Sequence, residues 1–337
     1  MKAIGYRTSL PASANEALID LELPDPTPGP HDLLVSVRAV SVNPVDTKLR
    51  IRAAPPPGEA RVLGFDAAGV VEAVGSAVTL FRPGDAVFYA GAIDRPGTNS
   101  ALHTVDERIV GRKPNTLSFT EAAALPLTAI TAWELLFDRL GVPYGSKAQT
   151  GTLLIINGAG GVGSILTQLA RRLTGLTVVA TASRPETVAW CREMGAHHVI
   201  DHHTPLNEAL KSAGIAQAEY IAGLTATDKH LPAIIEAIAP QGRLAVIDDP
   251  ATLDIAPFKR KSASVHWELM FTRSLFQTPD MIAQHRLLNE VADLVDAGVL
   301  RTTLTHEAGT INAANLRQVH ALVESGRAIG KTVLSGF

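Results

Sequence analysis

The chain has 337 residues, 46% of them hydrophobic and 19% charged, with a formal net charge of −3. That length is too great for one small core and predicts two domains, while the near-neutral balance gives no general surface for a polyanion such as nucleic acid. One cysteine, Cys191, excludes a disulfide framework and a cysteine zinc cluster within a single chain, and the absence of a signal-type or bilayer-length apolar run sets the expectation of a cytoplasmic enzyme with no membrane partner.

Lys2–Arg7 and Glu16–Leu23 read as strands, and Pro24, Pro26, Pro28 and Pro30 break the chain after them. Asp32–Val42 alternates apolar and polar residues, the pattern of a half-buried strand. Asn43–Arg50 follows as a short helix or turn, and Ala53–Glu59 as a Pro-rich surface loop. Gly64–Gly75 and Arg82–Phe88 read as strands joined by glycine turns, so the first section is a β-rich unit. Ser118–Gly141 is helical in character, with Trp133, Leu136, Phe137 and Leu140 along one face.

From Thr152 strands and helices alternate. Thr152–Asn157 contains a continuous apolar run, as expected of a parallel strand buried on both faces. Gly158, Gly160 and Gly163 complete Gly-x-Gly-x-x-Gly, and Val162, Ile165, Leu166, Leu169, Ala170 and Leu173 then fall at helical spacing. Strand, glycine turn and helix stand in the order that a dinucleotide site requires. Gly158 permits the tight turn, Gly160 lets the backbone approach the pyrophosphate, and Gly163 lets helix pack on strand. The N–H groups that open the helix, at Gly161 and Val162, face the phosphates.

The next strand, within Thr177–Ser183, ends in Ser183 and Arg184. An NAD site would place Asp or Glu about twenty residues past the glycines, to accept from the ribose 2′-OH. A hydroxyl and a guanidinium suit a 2′-phosphate instead, which favours NADP(H); the alternative is that Arg184 is merely solvated before Pro185 opens a helix. Pro185–Met194 reads as that helix, His198–Ile200 as a strand, Leu206–Ala213 as a helix and Ala218–Ala222 as a strand. Leu231–Ala239 is a helix stopped by Pro240 and Gly242, before the strand Arg243–Ile247. The alternation implies an α/β fold with a doubly wound parallel sheet. Ser264–Phe271 reads as an edge strand, which could pair across a two-fold axis, and Asp280–Ala297 as a long amphipathic helix.

His197-His198-Val-Ile-Asp-His202-His203 puts four histidines in seven residues. Taken as one strand, it sends His198 and His202 to one face and His197 and His203 to the other, which weakens a shared metal site. A surface cluster, a metal site and a cofactor contact remain the alternatives.

Together, Gly64-Phe-Asp-Ala-Ala-Gly-Val-Val-Glu-Ala-Val-Gly, Pro83-Gly-Asp and Gly158-Ala-Gly-Gly-Val-Gly, in this order, resemble the medium-chain dehydrogenase/reductase superfamily. Asn43-Pro-Val-Asp and the missing cysteines look most like its zinc-free quinone oxidoreductase branch, which includes proteins loosely named zinc-type alcohol dehydrogenases. The resemblance covers essentially the whole chain. It implies a GroES-like catalytic domain over 1–123 with a C-terminal return at 276–337, a Rossmann NADP-binding domain over 124–275, a cofactor cleft between domains, and a homodimer. It also implies that Thr131 packs beside the nicotinamide, that Lys331 lies near the pyrophosphate, and that His202 takes the place of a tyrosine flanking the 2′-phosphate. The plain readings of the first two are a helix-interior threonine bonded back to a carbonyl and a surface lysine.

Zinc-containing members hold their catalytic ion with a Cys, the His of Gly-His-Glu and a second Cys. The matching positions here are Asn43, Phe65 and roughly Leu127, and zinc needs about three N, S or O ligands from the protein. No catalytic or structural zinc is therefore expected. Some other group must then stabilise charge on the substrate oxygen, and a single hydrogen-bond donor is worth about 3 kcal/mol in that role. Asn43 as an amide donor, Lys48 or Arg50 as cationic donors and Lys48 also as a proton relay are the candidates, with Asp46 beside them; their plain readings are a turn cap, solvated cations and a structural partner. The resulting expectation is an NADPH-dependent, zinc-independent reductase of quinones or α,β-unsaturated carbonyls, with a flat acceptor in a cleft that Phe65, Phe88, Phe276 or Trp267 could line; these aromatics read equally as core. Zinc-type alcohol or aldehyde oxidoreduction, and a noncatalytic NADPH-binding protein, stay open beside it.

Overall fold

The computed structural model describes residues 1–148 and 150–337, which divide into two compact units: 1–130 with 271–337, and 131–270.

The first unit is β-rich. Its strands are β1 (Lys2–Tyr6), β2 (Ile19–Glu22), β3 (Asp32–Ser41), β4 (Arg61–Val62), β5 (Ala67–Val74), β6 (Ala86–Tyr89), β7 (Leu102–Asp106) and β8 (Val110–Arg112). The second unit supplies β9 (Thr152–Ile156), β10 (Thr177–Thr181), β11 (His198–Ile200), β12 (Ala218–Gly223), β13 (Ile238–Val246) and β14 (Ser264–Trp267). The chain then returns to the first unit with β15 (Leu304–Glu307) and β16 (Lys331–Ser335). β3 alternates as its sequence requires, burying Leu33, Val35 and Val37 while Arg38 stays exposed. It is flanked by β5 and β16, both antiparallel to it, and β7 pairs with its first half. The large sheet runs β15-β16-β3-β5-β6-β8, so the C-terminal strand inserts beside a strand from the beginning of the chain.

The second unit is a six-stranded sheet in the order β11-β10-β9-β12-β13-β14, with every pairing parallel. The order reverses between β9 and β12. In an open parallel sheet that switch point is where the carboxyl ends of the strands leave a ligand crevice. All five residues of β9 are buried, which explains its unbroken apolar composition. The helix Gly161–Leu173 buries Ile165, Leu166, Leu169 and Ala170 completely, each of the larger side chains contributing about 1.5–3 kcal/mol.

Several elements differ from expectation. The helix ahead of β13 spans Thr227–Ala237, with Pro232 inside it, and Ile238 and Ala239 already belong to the strand. Pro240 and Gly242 therefore do not stop the helix; they lie in an irregular opening of β13, where Gln241 has φ 63°. The strand at Ser264 ends at Trp267, short of Phe271. It pairs only with β13, as an edge strand does. The helical stretch after Ser118 divides into Phe119–Ala123, Pro126–Trp133 and a π-helical turn at Glu134–Arg139. Among the described residues, no helix is long and apolar enough to cross a membrane.

The glycine turn gives the first prediction. A Cβ at Gly163 would lie 2.4 Å from the Asn157 carbonyl oxygen and 2.6 Å from that of Gly158, both fixed backbone atoms. Gly163→Ala should lower stability by about 1–3 kcal/mol, the range for overpacking a close contact. A urea unfolding curve with an unshifted midpoint would contradict this steric account.

Candidate functional site

The second unit presents the turn after β9. Its left-handed residue is Asn157, at φ 69°. Asn157 is held by its N–H, which donates to Thr181 Oγ1 at 2.9 Å, while Gly158 N–H donates to the Thr181 carbonyl at 3.1 Å. Gly158 is required for space: a Cβ there would stand 2.6 Å from Ala180 Cβ and 3.1 Å from Cys191 Sγ. That packing buries Cys191 and pushes its thiol up to about 12, so the lone cysteine is an inert core residue. Gly160, Gly161 and Val162 are half-buried where the helix begins. Ser164 Oγ caps back onto the Gly160 carbonyl at 2.7 Å and accepts from Trp190 Nε1 at 2.8 Å. The glycine backbone is thus fixed from both sides while the first N–H groups of the helix stay at its open end.

Ser183 and Arg184 follow β10, the strand next to β9. Arg184 precedes Pro185 at the start of the helix Pro185–Glu193, where its Nε lies 3.4 Å from Glu186 Oε1. Hydroxyl, guanidinium and glycine turn therefore sit at neighbouring carboxyl ends of the sheet. These residues fit a dinucleotide with a 2′-phosphate: the glycines let the turn pack closely under the first N–H groups of the helix, and no Asp or Glu ends β10. His202 follows β11, one strand further on. Thr131 is buried in the helix Pro126–Trp133.

The first unit contains a second polar group, built around Asp66. The Asp66 side chain is fully buried, and its Oδ2 accepts from Ser41 Oγ at 2.8 Å, Asn43 Nδ2 at 2.7 Å and Lys331 Nζ at 3.1 Å. Its Oδ1 accepts from the backbone N–H of Leu127 at 2.8 Å. Lys331 Nζ also donates to Asn43 Oδ1 and, at 3.0 Å, to the Val42 carbonyl. Asp46 joins from the other side, accepting from Asn43 N–H at 2.8 Å and Gly64 N–H at 2.9 Å. With Pro44 as the first residue, this fixes the start of the helix Pro44–Arg52.

This geometry revises several expected positions. Lys331 is buried with its three donors committed to Val42, Asn43 and Asp66, so it is not the surface lysine of the plain reading. Asn43 and Asp46 are each 1% exposed and belong to the same network, whereas Lys48, two residues further along the helix, is half-buried. Phe65 and Phe88 are core residues, Phe65 edge-on to Phe271 at 5.3 Å, while Trp267 and Phe276 are exposed. Asp66 escaped notice because its motif reads as a strand signature, and its cationic partner lies 265 residues away in sequence.

The zinc positions can be tested against these side chains. Phe65 and Leu127 carry no ligand atom, Asn43 has both ends of its amide engaged, and the Lys331 ammonium already places positive charge among them. The residues present do not fit a zinc ion there.

A third titratable feature also went unpredicted. Glu134, in the π-helical turn, and Glu268, after β14, are both buried, and Arg139 Nε donates to Glu268 Oε2 at 2.8 Å. Burial and the neighbouring Glu134 push the Glu268 carboxyl well above the usual carboxylate range, as when two acids share one proton.

The sequence model of the alcohol dehydrogenase GroES-like domain matches residues 29–127, and that of the zinc-binding dehydrogenases matches residues 194–334. A zinc-type alcohol dehydrogenase-like protein of Staphylococcus aureus is 42% identical, over 99% of this chain and all of its own. A quinone oxidoreductase of Pseudomonas aeruginosa is 30% identical, over 91% of this chain and 92% of its own. Among solved structures, a Rhizobium etli CFN 42 protein whose name places it with zinc-dependent alcohol dehydrogenases superimposes with a TM-score of 0.95 at 59% identity, covering 100% of this chain and 98% of its own.

Two predictions test the polar group. Lys331→Met leaves Asp66 buried without its cation and should cost about 3–5 kcal/mol, of which a further Asp66→Asn should restore a substantial part. Strictly additive losses in urea unfolding would show that the two side chains do not form a pair. Burial pushes the Asp46 carboxyl up to about 7, against the Asn43 and Gly64 N–H groups and the Lys331 charge. In the unfolded chain its pKa is about 3.9. Between those values the folded chain keeps a proton that the unfolded chain has lost, so stability falls as pH rises through that window. Asp46→Asn should flatten that fall; an unchanged slope from acid to neutral pH would refute the assignment.

Proposed function

The chain belongs to the medium-chain dehydrogenase/reductase superfamily, and from that premise we propose that it is an NADPH-dependent, zinc-independent reductase of quinones or α,β-unsaturated carbonyls. The observation that carries the reading is at the zinc-ligand positions: the Asn43 amide is bonded to Asp66 and to the Lys331 ammonium, and Phe65 and Leu127 offer no ligand atom. A reductase of ketones or aldehydes in this superfamily leans on a Lewis acid at that point; a quinone or enone spreads arriving charge over a conjugated system and needs only a hydrogen-bond donor or proton source. The quinone oxidoreductase among the relatives supports the same substrate class.

We assign the 2′-phosphate to Ser183 and Arg184, with His202 beside them, and the pyrophosphate to the N–H groups that open the helix at Gly161. When bound, the reduced nicotinamide would supply a hydride to a quinone carbon or to the β-carbon of an enone. Negative charge then arrives on the substrate oxygen. Lys48 is assigned to meet that charge and pass on a proton, which solvent replaces. Asn43 and Asp46, locked below it, position the turn of helix that carries Lys48. Thr131 is assigned to the nicotinamide side, and the working form is read as a homodimer.

The experiment is NADPH consumption with a quinone, an enone, a 2-alkenal and a simple ketone, with and without a chelator and beside matched NADH controls. Chelator-resistant turnover of quinone or enone, favouring NADPH, is expected. Lys48→Ala should lower kcat about 100-fold while KM for NADPH holds. Chelator-sensitive turnover of the ketone alone would overturn the reading in favour of a zinc-type alcohol dehydrogenase.

A further inference from the structure

β11 ends at Ile200, so His202 and His203 do not continue its alternation to opposite faces. They fall in a tight turn that Asp201 closes with its own side chain: Asp201 Oδ1 accepts from His203 N–H at 2.9 Å, and the Asp201 carbonyl accepts from Thr204 N–H at 3.3 Å. The turn sets the two imidazoles side by side, with ring centres 4.7 Å apart. One ligand atom from each of Asp201, His202 and His203 can be chosen so that all lie within 4.8 Å of one another. A third imidazole comes from a different element. His230, in the helix Thr227–Ala237, stands with its ring centre 6.3 Å from that of His202, at 74° to it. His197 takes no part, because its Nδ1 accepts from Val178 N–H at 2.9 Å. Among the described residues, this is the one group of three or more His, Cys, Asp or Glu side chains gathered so closely.

We propose that Asp201, His202 and His203, closed by His230, form a surface site for one divalent transition-metal ion of the zinc type, separate from the zinc positions of the alcohol dehydrogenases. Three imidazoles and one carboxylate supply the N and O donors that zinc takes in tetrahedral sites, and nickel and copper accept the same donors. A tetrahedral ion with bonds of about 2.0–2.1 Å needs its ligand atoms about 3.3 Å apart, so the group must contract. Asp201 and His203 are exposed and His202 and His230 only half-buried, which leaves their side-chain torsions room to do so. His203 Nδ1 lies 2.9 Å from Asp201 Oδ1, so these two donor atoms already face each other at close to the ligand spacing, and an ion would take the place of the proton between them. His202 is shared with the proposed 2′-phosphate site, so the metal is titrated without nucleotide and the two readings succeed or fail separately.

The test uses the full chain, stripped with chelator and freed of nucleotide, titrated with Zn²⁺ by calorimetry and with Co²⁺ by visible absorption. One Zn²⁺ per chain, with the intense bands of tetrahedral Co²⁺, is expected. His202→Ala with His203→Ala should abolish both signals, and His230→Ala should weaken zinc binding about tenfold; circular dichroism melts check that each variant folds. Wild-type protein that takes up no zinc at micromolar concentration would overturn the proposal. So would a double variant that binds zinc as well as wild type.

Discussion

A carboxylate with no access to water governs the first unit. Asp66 is fully buried, and an unsolvated carboxylate there would cost several kcal/mol if left unpaired. Its partners come from four separate places: the end of β3 at Ser41, the start of the next helix at Asn43, the backbone at Leu127, and the C-terminal strand at Lys331. Satisfying one group therefore fixes where all four segments meet. The same bonds align Asn43, which accepts from Lys331 and donates to Asp66, so the amide has one possible orientation. Asp46 then locks the following helix through the Asn43 and Gly64 N–H groups. A polar network complete in this way specifies one arrangement, because any slip of a segment strands a buried donor or acceptor.

The second unit depends on space. Its glycine turn works because Gly158 clears Ala180 and Cys191, and Gly163 clears two backbone carbonyls, while Asn157 accepts the left-handed conformation. Asparagine tolerates that conformation better than most residues, so the turn does not need glycine there. The two units thus solve their problems differently, one by matching charges and the other by omitting atoms.

That difference explains what could be read in advance. The strand–glycine–helix stretch, the half-buried β3 and the parallel order of the sheet follow from local periodicity, which a sequence displays directly. Short strands such as β7 and β8 escaped because three to five residues carry too little pattern. The helix before β13 begins four residues earlier than Leu231, because the polar turn Thr227–His230 carries no apolar periodicity. Asp66 and Lys331 were missed as a pair because nothing local marks them; only the insertion of β16 beside β3 brings them together. Continuing β11 three residues past Ile200 puts His202 and His203 on opposite faces, whereas the Asp201 turn sets them side by side.

The Lys331 ammonium also bears on chemistry. A divalent ion with an open coordination position can bind and polarise a substrate oxygen directly, but an ammonium whose three hydrogens are already bonded cannot. What it supplies is a fixed positive charge at a place with no water to screen it, balanced by Asp66 so that the group as a whole is close to neutral. Such a group holds its neighbours without drawing a substrate toward itself. In the proposed mechanism, direct contact with a charged oxygen is assigned to Lys48, on the helix that Asn43 and Asp46 anchor. Charge fixed inside the unit thus gives order rather than a hold on substrate.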